Sequence, residues 1–432
     1  MSKLVKNNNR VTYNLKYAVY EHALVVEDNQ LIKRHFIVLK HDGIIIAWTD
    51  FHRFIMGSCR VRHITSNDSA RFYAVVTFLN YVFYGKYQIT RLTDISAQMV
   101  IDFCNDYGMC KLSGDNEFTH RTKDSVERCL SYIIDFLTEF QKHNSNINFD
   151  VKALYHKEDR FSKTRKKYIS ATVPNFEIRY KSSPKPIFRD IPECAFEVIM
   201  SKIADDYTDI LMLAACSAFA GLRPSEACNV RREDSSIGAG ISFDLVNNEI
   251  SSITLDLTKE HNLRSDLVSV GGIKKERKQS VYPSFLDVFY KCYKIYMDYI
   301  KGRKFESDFG PLTINNKGLA MTYQTYYQRF QCCINDCIPE MLNSNDPELI
   351  HYGQLLLEHR ISPHIFRHWF SVKLTIYGED VSGLMYWRGD KNPTSALQYI
   401  MNKSDLQKQH NVVVDEIFKY TSWKAEKKYG NG

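Results

Sequence analysis

A basic, proline-broken stretch divides this chain. Between Val151 and Asp190 eleven lysines and arginines stand against four acids, a net +7 that equals the formal balance of all 432 residues. Pro174, Pro184, Pro186 and, just beyond, Pro192 forbid a long helix there, because each fixes φ and lacks a backbone N–H. A chain of 432 residues is also too long for one ordinary core, so two or three domains are expected. Residues 150–186 are therefore read as a basic interdomain linker. A local positive excess attracts a polyanion, although a solvated linker kept soluble by lysines reads the same way from charge alone.

The segments on either side differ in pattern. Residues 1–58 hold short strand signals, Leu31-Ile32, Phe36 to Leu39 and Ile44 to Trp48, between Asp and Gly breaks. They form an N-terminal extension, an accessory or arm-type region. Residues 59–149 read as a helical bundle. Helices are predicted over Asp68 to Phe83 and Ser96 to Asn105. A third is marked by Val126, Leu130, Ile133, Ile134 and Leu137, which fall on one helical face. From 187 to 432 helical and β signals alternate: a buried helix from Asp205 to Ala220 stopped by Gly221, a strand through Ile253, Leu255 and Leu257, a second strand pair around Val268, Val270 and Val281, then helices from Ser284 onward.

Composition narrows the class. At 44% hydrophobic and 25% charged residues the chain can fold without staples, and its eleven cysteines read as free or buried thiols. Cys332, Cys333 and Cys337 lack paired metal-ligand spacing, and no third ligand accompanies His364 and His368, so no metal and no cofactor are expected. Met1 to Arg10 is polar and basic without a signal-peptide core, and no apolar run is long enough to span a membrane. A cytoplasmic location is expected.

Three short motifs carry chemistry. In Gly221-Leu222-Arg223-Pro224-Ser225-Glu226, Gly221 ends one helix and Pro224 suits the first position of the next, so Arg223 lies at a tight corner with Glu226 near enough to hold it. In Ser362-Pro363-His364-Ile365-Phe366-Arg367, Ser362 reads as an N-cap and Pro363 as the first helical residue. His364 and Arg367 then share a face, while Ile365, Trp369, Val372 and Ile376 face the core. In Trp387-Arg388-Gly389-Asp390-Lys391-Asn392-Pro393, Asn392-Pro393 opens another helix that places Tyr399 two turns inside. Each motif alone is ordinary: a surface ion pair, a packed helix start, one tyrosine among 27. Together, two arginines, a histidine and a tyrosine supply what is needed to hold a phosphodiester and attack it with a phenol.

These motifs resemble the catalytic domain of the tyrosine recombinases, the phage-integrase family. The Gly-Leu-Arg-x-x-Glu box is matched at Gly221 to Glu226, the His-x-x-Arg box at His364 and Arg367, and the last box, in length, from Gly389 to Tyr399. The likeness covers about 190 to 410, with a longer than usual separation between Arg223 and His364. The family also places a lysine in a β-hairpin turn. The run Ile273 to Pro283 is similar to that hairpin, with Lys275 at the family's position and Lys274 as the alternative. One position departs: Asp390 stands where the family has a second histidine or a tryptophan. A carboxylate repels phosphate, so Asp390 either orients a basic neighbour, or Arg388 or Trp387 supplies the missing donor.

The resemblance implies a mainly α fold with a small antiparallel sheet, a helical core-binding domain (59–149) and a catalytic domain (187–432) closing as a C-shaped clamp on double-stranded DNA. It implies Arg223 and Arg367 on the scissile phosphate, Tyr399 as nucleophile forming a 3′-phosphotyrosine, Lys275 as leaving-group acid and His364 in proton transfer, with neither metal nor ATP. Lys163, Arg165, Lys166 and Lys167 become candidate DNA contacts. A C-terminal tail through Val413, Ile417 and Tyr420 implies docking into a neighbouring protomer, a homotetramer on two DNA sites, and an accessory DNA-bending or directionality protein can join it. Integration or excision of a mobile element is the expected role. The alternatives are a type IB topoisomerase-like enzyme and a catalytically impaired DNA-binding protein, the latter suggested by Asp390.

Overall fold

The computed structural model describes residues 15–55, 66–116, 119–143, 149–162, 167–181, 191–247, 249–390 and 393. The chain forms two compact units, Met1–Leu24 with Ile32–Lys185, and Val25–Leu31 with Pro186–Gly432. It is mainly helical with small antiparallel sheets, an α+β architecture.

Strands β1 (Leu15–Val26), β2 (Gln30–His41) and β3 (Ile44–Trp48), which apart from Val25–Leu31 belong to the first unit, form one sheet in that order. Strands β2 and β3 meet through Asp42-Gly43, both at positive φ, the two-residue turn that matches strand twist. The sequence pattern contains no signal for β1, and the reason is its burial: only Tyr17 is buried, so no alternation marks it. Next come α1 (Ser66–Asn80), which runs on through a π-helical turn at Tyr81–Gly85, then α2 (Ala97–Gly108) and α3 (Lys123–His143). Val126, Leu130, Ile133, Ile134 and Leu137 of α3 are all buried, the face that their spacing predicts. They share one core with Phe72, Val75 and Phe78 of α1, with Val100 and Phe103 of α2, and with Tyr17, Ile37 and Phe54. Each such aliphatic or aromatic side chain contributes about 1.5–3 kcal/mol of burial free energy.

The basic stretch read as a linker contains a hairpin, β4 (Tyr155–Ser162) antiparallel to β5 (Lys167–Pro174), in register from Tyr155↔Pro174 to Ser162↔Lys167. The β-formers Tyr168, Ile169, Thr172 and Val173 favour this, and Pro174 closes the strand. Lys167 begins β5, whereas Lys163, Arg165 and Lys166 lie outside the described residues.

The second unit is built around α5 (Leu211–Phe219), which is buried along its whole length. It follows α4 (Glu193–Asp206) and precedes the single turn α6 (Pro224–Ala227). The expected continuous helix from Asp205 to Ala220 is in fact two. Tyr207, at φ −126° and ψ 38°, ends α4, and its hydroxyl donates to Asp336. Strands β6 (Ile241–Val246), β7 (Glu249–Leu257) and β8 (Arg277–Ser280) form an antiparallel sheet in that order. Val268 and Val270, expected in a strand, lie in the loop between β7 and β8, where the Val270 carbonyl accepts from the Tyr323 N–H at 2.7 Å. Helices α7 (Leu286–Ile300), α8 (Tyr323–Leu342), α9 (Pro347–Glu358), α10 (His364–Ile376) and α11 (Val381–Arg388) complete the unit.

Helix α10 is more deeply set than its predicted stripe. Ile365 and Trp369 are buried but Val372 and Ile376 only partly so, while Phe366, Phe370 and Leu374 form a second, fully buried row. Trp369 stacks on Phe196 of α4 with centroids 3.9 Å apart. The Lys373 ammonium reaches Glu193 at 2.8 Å on the same helix pair. These contacts fix the axis of α10, and therefore the position of its first turn. Among the described residues no helix is long and apolar enough to cross a membrane.

Candidate active site

Gly221 makes the first corner. Its φ is +64°, and a Cβ there would lie 2.4 Å from Cε1 of Phe370. Only glycine lets the chain leave α5 at this angle with α10 packed so close. Arg223 then caps α6 in an extended conformation (φ −70°, ψ 145°), with Pro224 in the first helical position as its fixed φ predicts. A single helical turn has little dipole of its own, so any preference for an anion here has to come from side chains.

Those side chains converge. Arg223 Nη2 donates to Asp390 Oδ1 at 2.6 Å, and Arg367 Nη2 donates to the same oxygen at 2.8 Å. Arg388 Nε lies 3.2 Å from the other carboxylate oxygen of Asp390. Arg367 is held in turn by the carbonyls of Gly221 and Arg388, the latter at 2.9 Å. Helix α11 delivers Asp390 through Gly389, which ends the helix at φ +63°. Asp390 thus lies against three arginines. Trp387 instead packs edge-on against Tyr282, with centroids 5.0 Å apart.

Glu226 is the second hub and is wholly buried. Its carboxylate accepts from Arg223 Nη1 at 3.0 Å, Arg223 N at 3.2 Å, Arg277 Nη2 at 3.0 Å and Lys274 N at 3.3 Å. Burial alone would raise its pKa, but Arg277, Arg223 and Arg367 outweigh that and hold it below the ordinary carboxylate value. Four guanidiniums thus face two carboxylates, leaving a local excess of two positive charges. Burial pushes the Arg367 pKa down to about 9, with Arg223 and Arg388 adding to the effect, which still leaves it charged at neutral pH.

His364 begins α10, one turn before Arg367. Ser362 provides no side-chain cap; Pro363 already has helical angles (φ −56°, ψ −14°), and the Ile365 N–H bonds the Ser362 carbonyl at 2.9 Å. His364 is exposed at the helix start. Its pKa is held below the ordinary value of 6.5 by partial burial, then by the charges of Arg367 and Arg223, with Lys274 contributing. It is therefore neutral at pH 7 and free to accept a proton. Lys274 is the turn lysine whose charge His364 feels, whereas Lys275 offers its carbonyl to Arg277 Nη1 at 2.8 Å.

Arg223, Glu226, Lys274, Lys275, His364, Arg367, Arg388 and Asp390 are thus assembled from four segments of the second unit. Tyr399, with the helix expected around it and the C-terminal tail, lies outside the described residues. Arg277 and Gln279 are site residues that the sequence reading missed. Their two-residue spacing in β8 puts both on one face of the strand, the only signal available. Among the described residues no three His, Cys, Asp or Glu side chains form a metal-binding group.

No family profile matches the chain, and no curated protein does. Solved structures do. The chain is similar to the Tn1549 transposon integrase in complex with transposon right end DNA, at 15% identity and a TM-score of 0.49, covering 84% of this chain and 98% of that one. It is similar to the XerH site-specific recombinase bound to its difH substrate, at 16% identity and 0.43, covering 77% and 74%. It is also similar to XerA recombinase, at 15% identity and 0.32, covering 87% and 95%. All three are tyrosine recombinases.

Proposed function

We propose that this chain is a site-specific tyrosine recombinase or integrase, which cleaves and rejoins double-stranded DNA through a 3′-phosphotyrosine at Tyr399. One observation carries the reading: Arg223 and Arg367, 144 residues apart in sequence by their numbers, aim their guanidiniums at a single anionic oxygen, that of Asp390. A pair of donors that meets on one carboxylate oxygen is built to meet on a phosphate oxygen. Asp390 then holds the pair in place until a phosphodiester displaces it.

In the reaction the Tyr399 phenol gives its proton to the neutral imidazole of His364, and its oxygen bonds phosphorus. The P–O5′ bond breaks, and a lysine ammonium of the β7–β8 loop, Lys275 or Lys274, gives its proton to the departing 5′ oxygen. Arg223 and Arg367 stabilise the charge on the pentacoordinate phosphorus, a contribution of about 10²–10³ in rate for a single preorganised donor. The phosphotyrosine keeps a diester linkage, so attack by another 5′-hydroxyl reverses the step without ATP. A homotetramer on two DNA sites, helped by an accessory DNA-bending or directionality protein, and a role in moving a genetic element belong to the same reading. So do an intracellular location on DNA, phosphate contacts from Lys163, Arg165, Lys166 and Lys167, and the division at 58, 149 and 186.

The pairing of both arginines with Asp390 favours a second reading, a DNA-binding protein whose site stays closed. One experiment separates the two. The chain is incubated with fragments of its source genome, denatured, and DNA that stays covalently attached is sequenced. A 3′-linked adduct at a defined sequence, lost in Tyr399→Phe while DNA binding persists, supports the recombinase. An unchanged adduct in Tyr399→Phe sinks the nucleophile assignment, and binding with no adduct supports the closed site.

A further inference from the structure

The β7–β8 loop carries the proton-donating lysine, yet from Thr258 to Glu276 it has no strand of its own to hold it. Away from the backbone bonds at Glu260, Asn262 and Val270, its lysine-bearing end is held by side chains. Here Ser225 Oγ donates to the Gly272 carbonyl at 3.1 Å and Asn229 Nδ2 to the Gly271 carbonyl at 2.9 Å, while the Lys274 N–H donates to Glu226. Arg277 adds contacts at the end of the loop next to β8. Arg277 Nη1 donates to the Lys275 carbonyl at 2.8 Å, Nη2 to Glu226 at 3.0 Å and Nε to Gln279 at 2.8 Å. A Cβ on Gly389 would lie 2.3 Å from Arg277 Nε, so the residue before Asp390 is packed directly on this guanidinium. Gln279, its partner, donates to the Trp387 carbonyl at 2.9 Å.

We infer that Arg277 is a positioning residue, which locks the lysine-bearing turn to the Glu226–Arg223 element and to the Gly389–Asp390 corner, so that the proton donor and the phosphate-holding arginines move as one piece. This rests on the function proposed above. Each edge of the guanidinium is already bonded to protein, and its side chain is 9% exposed, so Arg277 acts through its neighbours and does not grip phosphate itself. Lysine cannot replace it, because one ammonium does not span three acceptors in a plane.

Two measurements test this. The first uses the DNA site cleaved by the wild-type chain, made with either an ordinary diester or a sulfur in the bridging 5′ position. A thiolate leaves without being protonated, so it bypasses the lysine. Arg277→Ala and Arg277→Lys should cleave the ordinary diester at least about 10²-fold slower, with DNA affinity unchanged, and recover near wild-type rates on the sulfur substrate. Equal losses on both substrates, or no loss on either, overturn the inference. The second measurement needs no activity: hydrogen exchange in the free protein. In Arg277→Ala the amide of Lys274 should exchange more than 10-fold faster while amides of α5 keep their protection. An unchanged Lys274 amide overturns the inference, whereas a wild-type chain that forms no adduct overturns the recombinase reading and leaves the exchange result to decide this one.

Discussion

Arg223 and Asp390 stand 167 residues apart in sequence and 2.6 Å apart in space, joined by a hydrogen bond between guanidinium and carboxylate. That contact changes the meaning of the aspartate. Seen as one residue beside a phosphate, a carboxylate is a defect. Surrounded by Arg223, Arg367 and Arg388, it is the counter-ion that permits three guanidiniums to be placed together.

Removing that counter-ion should make the protein depend on a replacement. Asp390→Ala is expected to lose about 2–4 kcal/mol in low-salt chloride buffer, since breaking a partly buried pair leaves charge uncompensated. Sulfate or phosphate at millimolar concentration should restore much of the loss, while affecting the wild type little. Thermal melts with and without sulfate decide it: equal stabilisation of both proteins contradicts the role. Asp390→His, which restores a donor, should preserve or raise adduct formation.

Glu226 predicts an acid-side dependence of stability. Its folded pKa lies below the ordinary 4.5, so its contribution is fully present above 4.5 and disappears as pH falls through the folded value. Glu226→Gln should cost about 3 kcal/mol at pH 7 and flatten the fall in stability below pH 4.5. Denaturant midpoints measured from pH 7 down to the acid limit test the slope. Parallel curves for the two proteins would remove Glu226 from the account.

For His364 the sign is the same, although here it is the charged form that the fold disfavours. Its folded pKa is depressed below 6.5, so the fold pays no penalty above that value and an increasing one as pH falls. Proton NMR titration should find its midpoint below 6.5, moving upward in Arg223→Ala when one repelling charge is removed. If the imidazole accepts the tyrosine proton, the acid limb of the cleavage rate should follow that same midpoint. A midpoint at or above 6.5 contradicts both expectations.

Gly221 should tolerate no side chain. Alanine there meets both a positive φ and the ring of Phe370, and it displaces a carbonyl that binds Arg367. A loss of about 2–4 kcal/mol is expected from strain and overpacking together, with weakened anion binding. Urea denaturation measures the first, and phosphate titration the second. A neutral Gly221→Ala would show that α5 and α10 can separate at little cost.

The elements that were legible share a property: their signal is local and repeats. The face of α3 through Val126, Leu130 and Leu137 is set by a 3.6-residue period, and the Gly221–Pro224 corner by the backbone sterics of two residues. Strand β1, with Tyr17 alone buried, had no period to read. Val268 and Val270 looked like a strand because they alternate, but the Val270 carbonyl is taken by Tyr323 of α8, a partner that only packing supplies. Stripes also mislead on a helix buried on several sides, as with Phe366, Phe370 and Leu374 of α10.

The sequence by itself determined part of the candidate site, Arg223, Glu226, His364 and Arg367, and the corners that present it. Pro224 and Pro363 fix φ through their own rings, and Gly221 permits a positive φ that other residues resist, wherever the rest of the chain lies. The tertiary structure decided what that inventory means. Whether Asp390 repels a phosphate or organises its receptor depends on how many guanidiniums surround it, and these come from α6, α10 and α11. Whether Arg277 is a surface charge or a buried tie between segments depends on Glu226 and Gly389 both reaching it. Electrostatic roles are set by distance and burial, and distances between remote segments exist only once the core has formed.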